Sequence, residues 1–165
     1  MTQASNARPA GQVFNLVLIK PTHYDDDGYP IQWFRSAIPS NTLACINGLA
    51  EDAARRQVLG PDVEIRIHAF DETNTRVRPA KIIETFRQSG GLGMICFVGV
   101  QSNQFPRALD LARRFRAHKA QVAIGGGFYA LIVAVFDIAG LRTTLVAKAG
   151  PIWLRLIKKV DAQAS

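Results

Sequence analysis

The chain has few of the features that mark metal centres, secretion or membrane insertion. It contains only two cysteines, Cys45 and Cys96, which lie far apart in its 165 residues and are each set among apolar residues. Two isolated cysteines do not make a zinc or iron–sulfur site. Their surroundings predict buried free thiols and a reducing, cytoplasmic location. The polar residues 1–12 lack the apolar core of a signal peptide, and residues 128–141, the most apolar run, are too few to span a bilayer. We expect no membrane partner.

Common phosphate and nucleic-acid motifs are missing as well. No Gly-x-Gly-x-x-Gly follows the first predicted strand, and no P-loop Gly-Lys-Ser/Thr occurs. A receiver domain carries an aspartate at the end of its third strand, where this chain reads Gly99-Val100-Gln101. The formal net charge is +7, but the basic residues are scattered over predicted helix faces without interleaved aromatics. We therefore expect no nucleic-acid partner.

What the sequence does contain is a regular alternation of apolar runs and amphipathic segments. Strands are predicted over residues 13–19, 63–70, 94–100 and 122–124, and helices over residues 41–57, 79–89 and 107–118. Beyond these, residues 128–138 are expected to form a buried helix, residues 141–147 a fifth strand and residues 152–160 a last helix.

This alternation predicts a single domain over residues 13–162, preceded by a flexible N-terminus, residues 1–12. The expected fold is α/β, a three-layer, doubly wound, Rossmann- or flavodoxin-like sheet of about five mainly parallel strands. In such a sheet the segments that follow the strands gather at the carboxyl edge, where ligands bind. Here these segments are residues 21–39, 71–75, 101–106 and 125–127.

Three groups in these loops are candidates for binding. The triplet of Gly125, Gly126 and Gly127 allows a flat ligand to approach the backbone, although it is also a simple turn. The polar run of Gln101, Ser102, Asn103 and Gln104 offers neutral hydrogen bonds at a helix N-terminus, or merely caps it. The loop acids Asp25, Asp26, Asp27, Asp71 and Glu72 could hold Mg²⁺, accept bonds from ligand amides, or be solvated.

Several separate motifs in these loops resemble one known family. They are Lys20-Pro21-Thr22-His23-Tyr24-Asp25-Asp26-Asp27-Gly28-Tyr29, Ile38-Pro39-Ser40-Asn41-Thr42-Leu43-Ala44, Asp71-Glu72-Thr73, Gly99-Val100-Gln101-Ser102-Asn103-Gln104-Phe105-Pro106-Arg107-Ala108 and Ile124-Gly125-Gly126. Together they resemble the cobalamin-binding domain at the N-terminus of many cobalamin-dependent radical S-adenosylmethionine proteins. The resemblance covers residues 13–127, whereas residues 128–165 match poorly.

The resemblance implies a cobalamin over the carboxyl edge, with its nucleotide tail inserted into the domain. The residues it implies for cofactor binding are Thr22, Tyr24, Asp25, Asp71, Gln101, Ser102, Asn103, Gln104, Gly125, Gly126 and Gly127. Many such domains use the histidine of Asp-x-His-x-x-Gly as the lower cobalt ligand. Here His23 is followed by Tyr24-Asp25-Asp26, so we expect base-off binding without a protein ligand to the metal.

The chain has no Cys-x-x-x-Cys-x-x-Cys motif, so we expect no iron–sulfur cluster and no S-adenosylmethionine site within it. It would then be the cofactor-binding part of such an enzyme, truncated or stand-alone, not catalytic by itself, with a radical S-adenosylmethionine domain or protein as a partner. Two alternatives stay open. One is a receiver-like switch or Mg²⁺-dependent phosphoryl-transfer domain that uses Asp25, Asp26, Asp71 and Glu72; the other is an interaction domain or remnant without a ligand.

Overall fold

The computed structural model describes residues 11–33 and 40–126 with their side chains, and the backbone of residues 131–137 and 140–146. The strands are β1 (Gln12–Lys20), β2 (Val63–Asp71), β3 (Gly93–Phe97), β4 (Gln121–Ile124), β5 (Leu131–Asp137) and β6 (Gly140–Val146). The helices are α1 (Asn41–Arg55), α2 (Pro79–Gln88) and α3 (Phe105–Arg116), and a short 3₁₀ turn, Ser102–Gln104, precedes α3. In the described ranges, no helix is both long and apolar enough to cross a bilayer.

The four strands β1 to β4 form one parallel sheet in the order β2-β1-β3-β4. The chain moves from β1 to β2 on one side and then crosses over to β3 on the other side. The strand order therefore reverses between β1 and β3, and the crevice outside the carboxyl ends of these two strands is where open α/β sheets bind ligands. The predicted α/β class with a Rossmann-like parallel sheet is confirmed, with four parallel strands among the described residues where about five were predicted.

Both faces of the sheet are covered, which explains why β1 is apolar along its length. Successive side chains of a strand point to opposite faces. Leu16 and Leu18 join a core that includes residues of α1, whereas Val17 and Ile19 join a core with residues of α2 and α3. The result is three layers, with α1 on one face and the other two helices on the opposite face.

The prediction of a buried helix over residues 128–138 is wrong for its described part. Leu131–Asp137 is strand β5, which pairs antiparallel with β6 in a separate two-stranded sheet. An apolar run of this length is ambiguous between helix and strand, and β-branched residues such as Ile132, Val133 and Val135 favour the strand. The predicted fifth strand, residues 141–147, is a strand through Val146, but it lies outside the parallel sheet. The helix predicted over residues 152–160 and residues 1–10 lie outside the described residues.

The two cysteines have different environments. Cys96 lies in β3 and is fully buried, as predicted, but Cys45 is exposed. Cys45 follows Leu43 on α1, and it is Leu43 and Ile46 that pack against the core. The apolar residues on either side of Cys45 therefore did not indicate that its own side chain is buried, because adjacent residues of a helix point in different directions.

Candidate functional site at the carboxyl edge

The loop after β1 is held in shape by its own hydrogen bonds. Oδ1 of Asp25 accepts from the backbone N–H groups of Asp27 at 3.1 Å and Tyr29 at 2.7 Å. Gly28 has a φ of 85°, a left-handed conformation that favours glycine. Asp25 thus shapes a tight turn, and the side chains of the turn, including Asp26, are exposed.

Thr22 is buried beneath this loop and bonds to protein groups. Its backbone N–H donates to Oε2 of Glu72 at 3.2 Å, and its hydroxyl donates to the Ile31 carbonyl at 2.6 Å. It therefore connects the first residues of the loop both to the end of β2 and to the returning part of the loop itself. This is a positioning role, since a fully buried hydroxyl does not face the surface of the edge.

A buried ion pair lies beside Thr22. Glu72 is fully buried, and its Oε1 lies 2.6 Å from Nη2 of Arg107 on α3, whose side chain is 13% exposed. Nη1 of Arg107 donates to the Tyr24 hydroxyl at 3.3 Å, and that hydroxyl donates to Oδ2 of Asp110 at 2.7 Å. Burial disfavours the charge on Arg107, but its hydrogen bonds to Glu72 and Tyr24 outweigh this, so the pKa of Arg107 is raised.

Sequence reasoning missed this network, since it placed Glu72 with possible Mg²⁺ ligands and gave Arg107 no role. One signal was present. Arg107 lies in the first turn of α3, where the helix dipole disfavours a cation, so an arginine there suggests a specific acidic partner. Tyr24, a predicted cofactor-binding residue, is also part of the network, and the Arg107 guanidinium lies 5.6 Å from the centre of its ring.

The loop acids do not converge on a common point. Oδ1 of Asp71 accepts from the backbone N–H and the hydroxyl of Thr73, at 3.1 Å and 2.6 Å, and so shapes the turn after β2. Glu72 is paired with Arg107, and Asp25 closes its own turn. Across residues 11–33 and 40–126, no cluster of three or more histidine, cysteine or acidic side chains is placed to hold a metal ion. The described geometry therefore gives the Mg²⁺ alternative no support.

The polar run after β3 divides into two kinds of residue. The Gln101 backbone N–H donates to Oε1 of the buried Gln104 at 3.1 Å, and the Gln104 N–H donates back to the Gln101 carbonyl at 3.0 Å. These two residues fold the turn before α3. Ser102 and Asn103, at the tip of the turn, are exposed. They present polar side chains to whatever lies above the edge.

The glycines after β4 allow the backbone after β4 to contact the backbone after β3. A β-carbon on Gly126 would lie 2.0 Å from the carbonyl oxygen of Val100, so only glycine fits this contact. Gly125 donates its N–H to the Phe97 carbonyl at 2.8 Å and accepts from the Val100 N–H at 3.1 Å. The Gly125 amide is therefore not free for a phosphate. Gly127 lies outside the described residues.

Large aromatic side chains are exposed around the same edge. Tyr29 and Trp33, in the loop after β1, are 70% and 64% exposed, and Phe105, at the start of α3, is 47% exposed. The backbone N–H of Trp33 donates to the Thr73 carbonyl at 2.7 Å, which joins the loops after β1 and β2. All three side chains lie on segments that follow strands of the parallel sheet, so they are available to a ligand at the carboxyl edge.

The carboxyl edge therefore has a close backbone contact at Gly126, exposed polar and aromatic side chains in its loops, and a buried ionic network. Comparison of the chain with models of protein families, with curated proteins and with solved structures finds no match in any of the three.

Proposed function

We propose that this chain is a cobalamin-binding module that holds a corrin ring over the carboxyl edge of its parallel sheet. The observation that carries the proposal is the contact of Gly126 with the Val100 backbone, where a β-carbon would lie 2.0 Å from the carbonyl oxygen. It joins the loops after β3 and β4 in a low floor of backbone atoms, next to the point where the strand order reverses. Open α/β sheets bind their ligands there.

The groups around this floor match the chemistry of a corrin, which is a broad apolar disc with a fringe of amides. Ser102 and Asn103 are exposed neutral groups that can bond to the fringe. Asp25 and Asp71 use Oδ1 within their turns, so Oδ2 of each can accept from an amide NH₂. The exposed ring of Trp33 adds apolar surface at the edge.

In this proposal Thr22, Tyr24 and Gln104 position the loops, since each bonds to other protein groups. The cofactor itself supplies the redox and methyl-transfer chemistry of its cobalt. The expected binding is base-off without a histidine ligand, because the segment after His23 departs from the usual motif. A radical S-adenosylmethionine domain is the proposed partner, since the buried Cys96 and the separate Cys45 do not supply a cluster site.

The test is to mix the purified chain with hydroxocobalamin, desalt the mixture and record the visible spectrum of the protein fraction. We expect corrin absorbance that elutes with the protein at about one equivalent. Electron paramagnetic resonance of the bound, reduced cobalt(II) form should lack the splitting caused by a nitrogen ligand. If that splitting is present and disappears in His23→Ala, the expectation of no histidine ligand is wrong.

Matched variants locate the cofactor. Ser102→Trp places a bulky ring at an exposed position above the floor, whereas Gln88→Trp places the same ring at an exposed position on the last residue of α2, towards the other edge of the sheet. Both should fold, and only Ser102→Trp should lose the corrin. A colourless wild-type protein fraction, or equal binding by the two variants, contradicts the proposal.

Gly126→Val is not a clean test of corrin binding, because the valine side chain would collide with the Val100 backbone and disturb the fold.

A further inference from the structure

A cavity of about 640 Å³ lies between β2 and α2, on the face of the sheet opposite α1, and extends to Asn74 and Thr75 in the segment after β2. It exists because β2 is an edge strand and α2 packs against α3, which leaves the outer part of β2 uncovered. Its apolar wall includes Val17, Phe70 and Ile82. The volume is in the range of small-molecule sites.

The opening of this cavity is strongly basic. Arg76, Arg78 and Lys81 line it, all three are exposed, and no acidic residue is among the residues that line it. Within the part of the chain that the structure describes, none of the three forms an ion pair with a carboxylate. Of the acids on the neighbouring elements, Glu64 pairs with Arg66 and Glu84 with Arg87, and Asp71 accepts hydrogen bonds from Thr73. The positive charge at the opening is therefore not compensated by these acids.

The start of α2 adds to this positive potential. The helix begins at Pro79, Arg78 at its N-cap position makes no side-chain cap, and its first turn contains no acidic residue. The N-terminal end of a helix carries a partial positive charge that favours anions. The N-terminal end of α2 borders the same cavity as Arg76, Arg78 and Lys81, so the helix and these side chains both favour a negatively charged ligand.

The apolar and neutral polar residues of the lining favour an organic anion over a bare inorganic one. A bare inorganic ion would leave the partly exposed ring of Phe70 uncovered, whereas a phosphate ester with a flat aromatic part would cover it. Asn74 and Thr85 also line the cavity. The Asn74 amide nitrogen can donate to a ring nitrogen, and the Thr85 hydroxyl, which donates to the Lys81 carbonyl at 3.1 Å, can accept from a sugar hydroxyl. A nucleoside monophosphate has the required phosphate, polar sugar and flat base.

We propose that this cavity binds a nucleoside monophosphate, with the phosphate among Arg76, Arg78 and Lys81 and the base against Phe70. The proposal uses neither Gly126 nor Val100 and does not rest on corrin binding, although Asn74 belongs to the same segment as Asp71. Because its recognition depends largely on charge, binding should weaken as the salt concentration rises.

Calorimetric titration of the full chain with AMP, adenosine and inorganic phosphate tests the proposal. AMP should bind at least ten-fold more tightly than either fragment. Arg78→Gln/Lys81→Gln should weaken AMP binding at least ten-fold, whereas Arg55→Gln/Arg56→Gln, an equal change of charge at the C-terminal end of α1, should leave it unchanged. Absence of AMP binding, phosphate binding as tight as AMP binding, or unchanged binding in the first double variant overturns the proposal.

A cobalamin also carries a phosphate and a base in its nucleotide tail, so the source of the nucleotide needs its own measurement. The AMP titration is repeated with the chain saturated with hydroxocobalamin, and again with cobinamide, which lacks the tail. Undiminished AMP binding in both supports a separate nucleotide site. Loss of AMP binding with hydroxocobalamin but not with cobinamide would assign the cavity to the tail and overturn the separate site. A chain that binds AMP but no corrin contradicts the proposed function and leaves the nucleotide site standing.

Discussion

Glu72 and Arg107 form a buried ion pair, with 2.6 Å between Oε1 and Nη2, that joins the end of β2 to the first turn of α3. The second carboxylate oxygen of Glu72 accepts from the Thr22 backbone, so the loop after β1 is attached to the same pair. The segments after β1 and β2 and the helix after β3 thus depend on one carboxylate. The arrangement of the loops at the edge of the sheet follows from it.

We expect Arg107→Met to lower the free energy of unfolding by about 3 kcal/mol, because it leaves the buried Glu72 carboxylate without its partner. The control is Arg114→Met, on the same helix but exposed, which should change the stability by less than about 0.5 kcal/mol. Urea unfolding followed by circular dichroism measures both. Equal stability of the two variants would show that the pair does not hold the loops.

Gly126→Ala should be destabilising although it adds only a methyl group. The new β-carbon would lie 2.0 Å from the Val100 carbonyl oxygen, a backbone atom that cannot rotate away as the end of a flexible side chain can. Overpacking of this kind costs about 1–3 kcal/mol. The matched variant is Gly48→Ala in α1, where the β-carbon meets nothing within 4 Å and alanine favours the helix by about 1 kcal/mol. Thermal unfolding should therefore shift in opposite directions, and a shift in the same direction for both would refute the contact.

The sheet and its helices were largely predictable because their signals are local. The apolar run of β1 indicates a strand buried on both faces, and the spacing of Ala108, Leu111 and Phe115 indicates the inner side of α3. Residues 131–137 were misassigned because a short apolar run does not distinguish helix from strand. For these residues the β-branched composition indicated the strand better than the length of the apolar run did.

The interior of the candidate site was not predictable, because it depends on distant contacts. Glu72 and Arg107 are 35 positions apart, and nothing in the sequence around Glu72 tells a buried ion-pair carboxylate from a solvated one. The glycines after β4 were predicted to allow a flat ligand to approach the backbone, and the close approach that the structure describes is with the backbone of Val100. The exposed turns, in contrast, were predictable from Asp, Asn and Gly alone.

The two thiols should react at very different rates. Burial raises the pKa of Cys96, so this thiol lacks both access and thiolate character, whereas Cys45 is exposed on α1. An aromatic disulfide reagent should modify one thiol per native chain quickly and the second only in denaturant. Cys45→Ser should abolish the fast reaction and Cys96→Ser should leave it. Two fast thiols in the native protein would contradict the buried position of Cys96.

His68 should make the stability of the protein depend on pH. It lies on the edge strand β2, and burial together with the positive charge of Arg66 lowers its pKa from the ordinary value of 6.5. The folded state therefore binds a proton less readily than the unfolded chain. The free energy of unfolding should fall as the pH is lowered through 6.5, and this loss should be complete below the lowered pKa of the folded state.

Removal of the titrating group should flatten this dependence. Nε2 of His68 lies 3.3 Å from Oδ1 of Asn15. The amide nitrogen of Asn15 donates to the Ser89 hydroxyl, and because Asn15 is fully buried, its Oδ1 requires a hydrogen-bond donor from the protein. His68→Gln offers an amide N–H to the same oxygen without a charge, and His118→Gln, at an exposed position just beyond α3, is the control. Urea unfolding between about pH 5 and 8 should give a smaller fall in stability for His68→Gln than for the wild type or the control, because this imidazole binds much of the proton that is taken up on unfolding. Parallel curves for all three proteins would mean that His68 has the same proton affinity in the folded and unfolded chain.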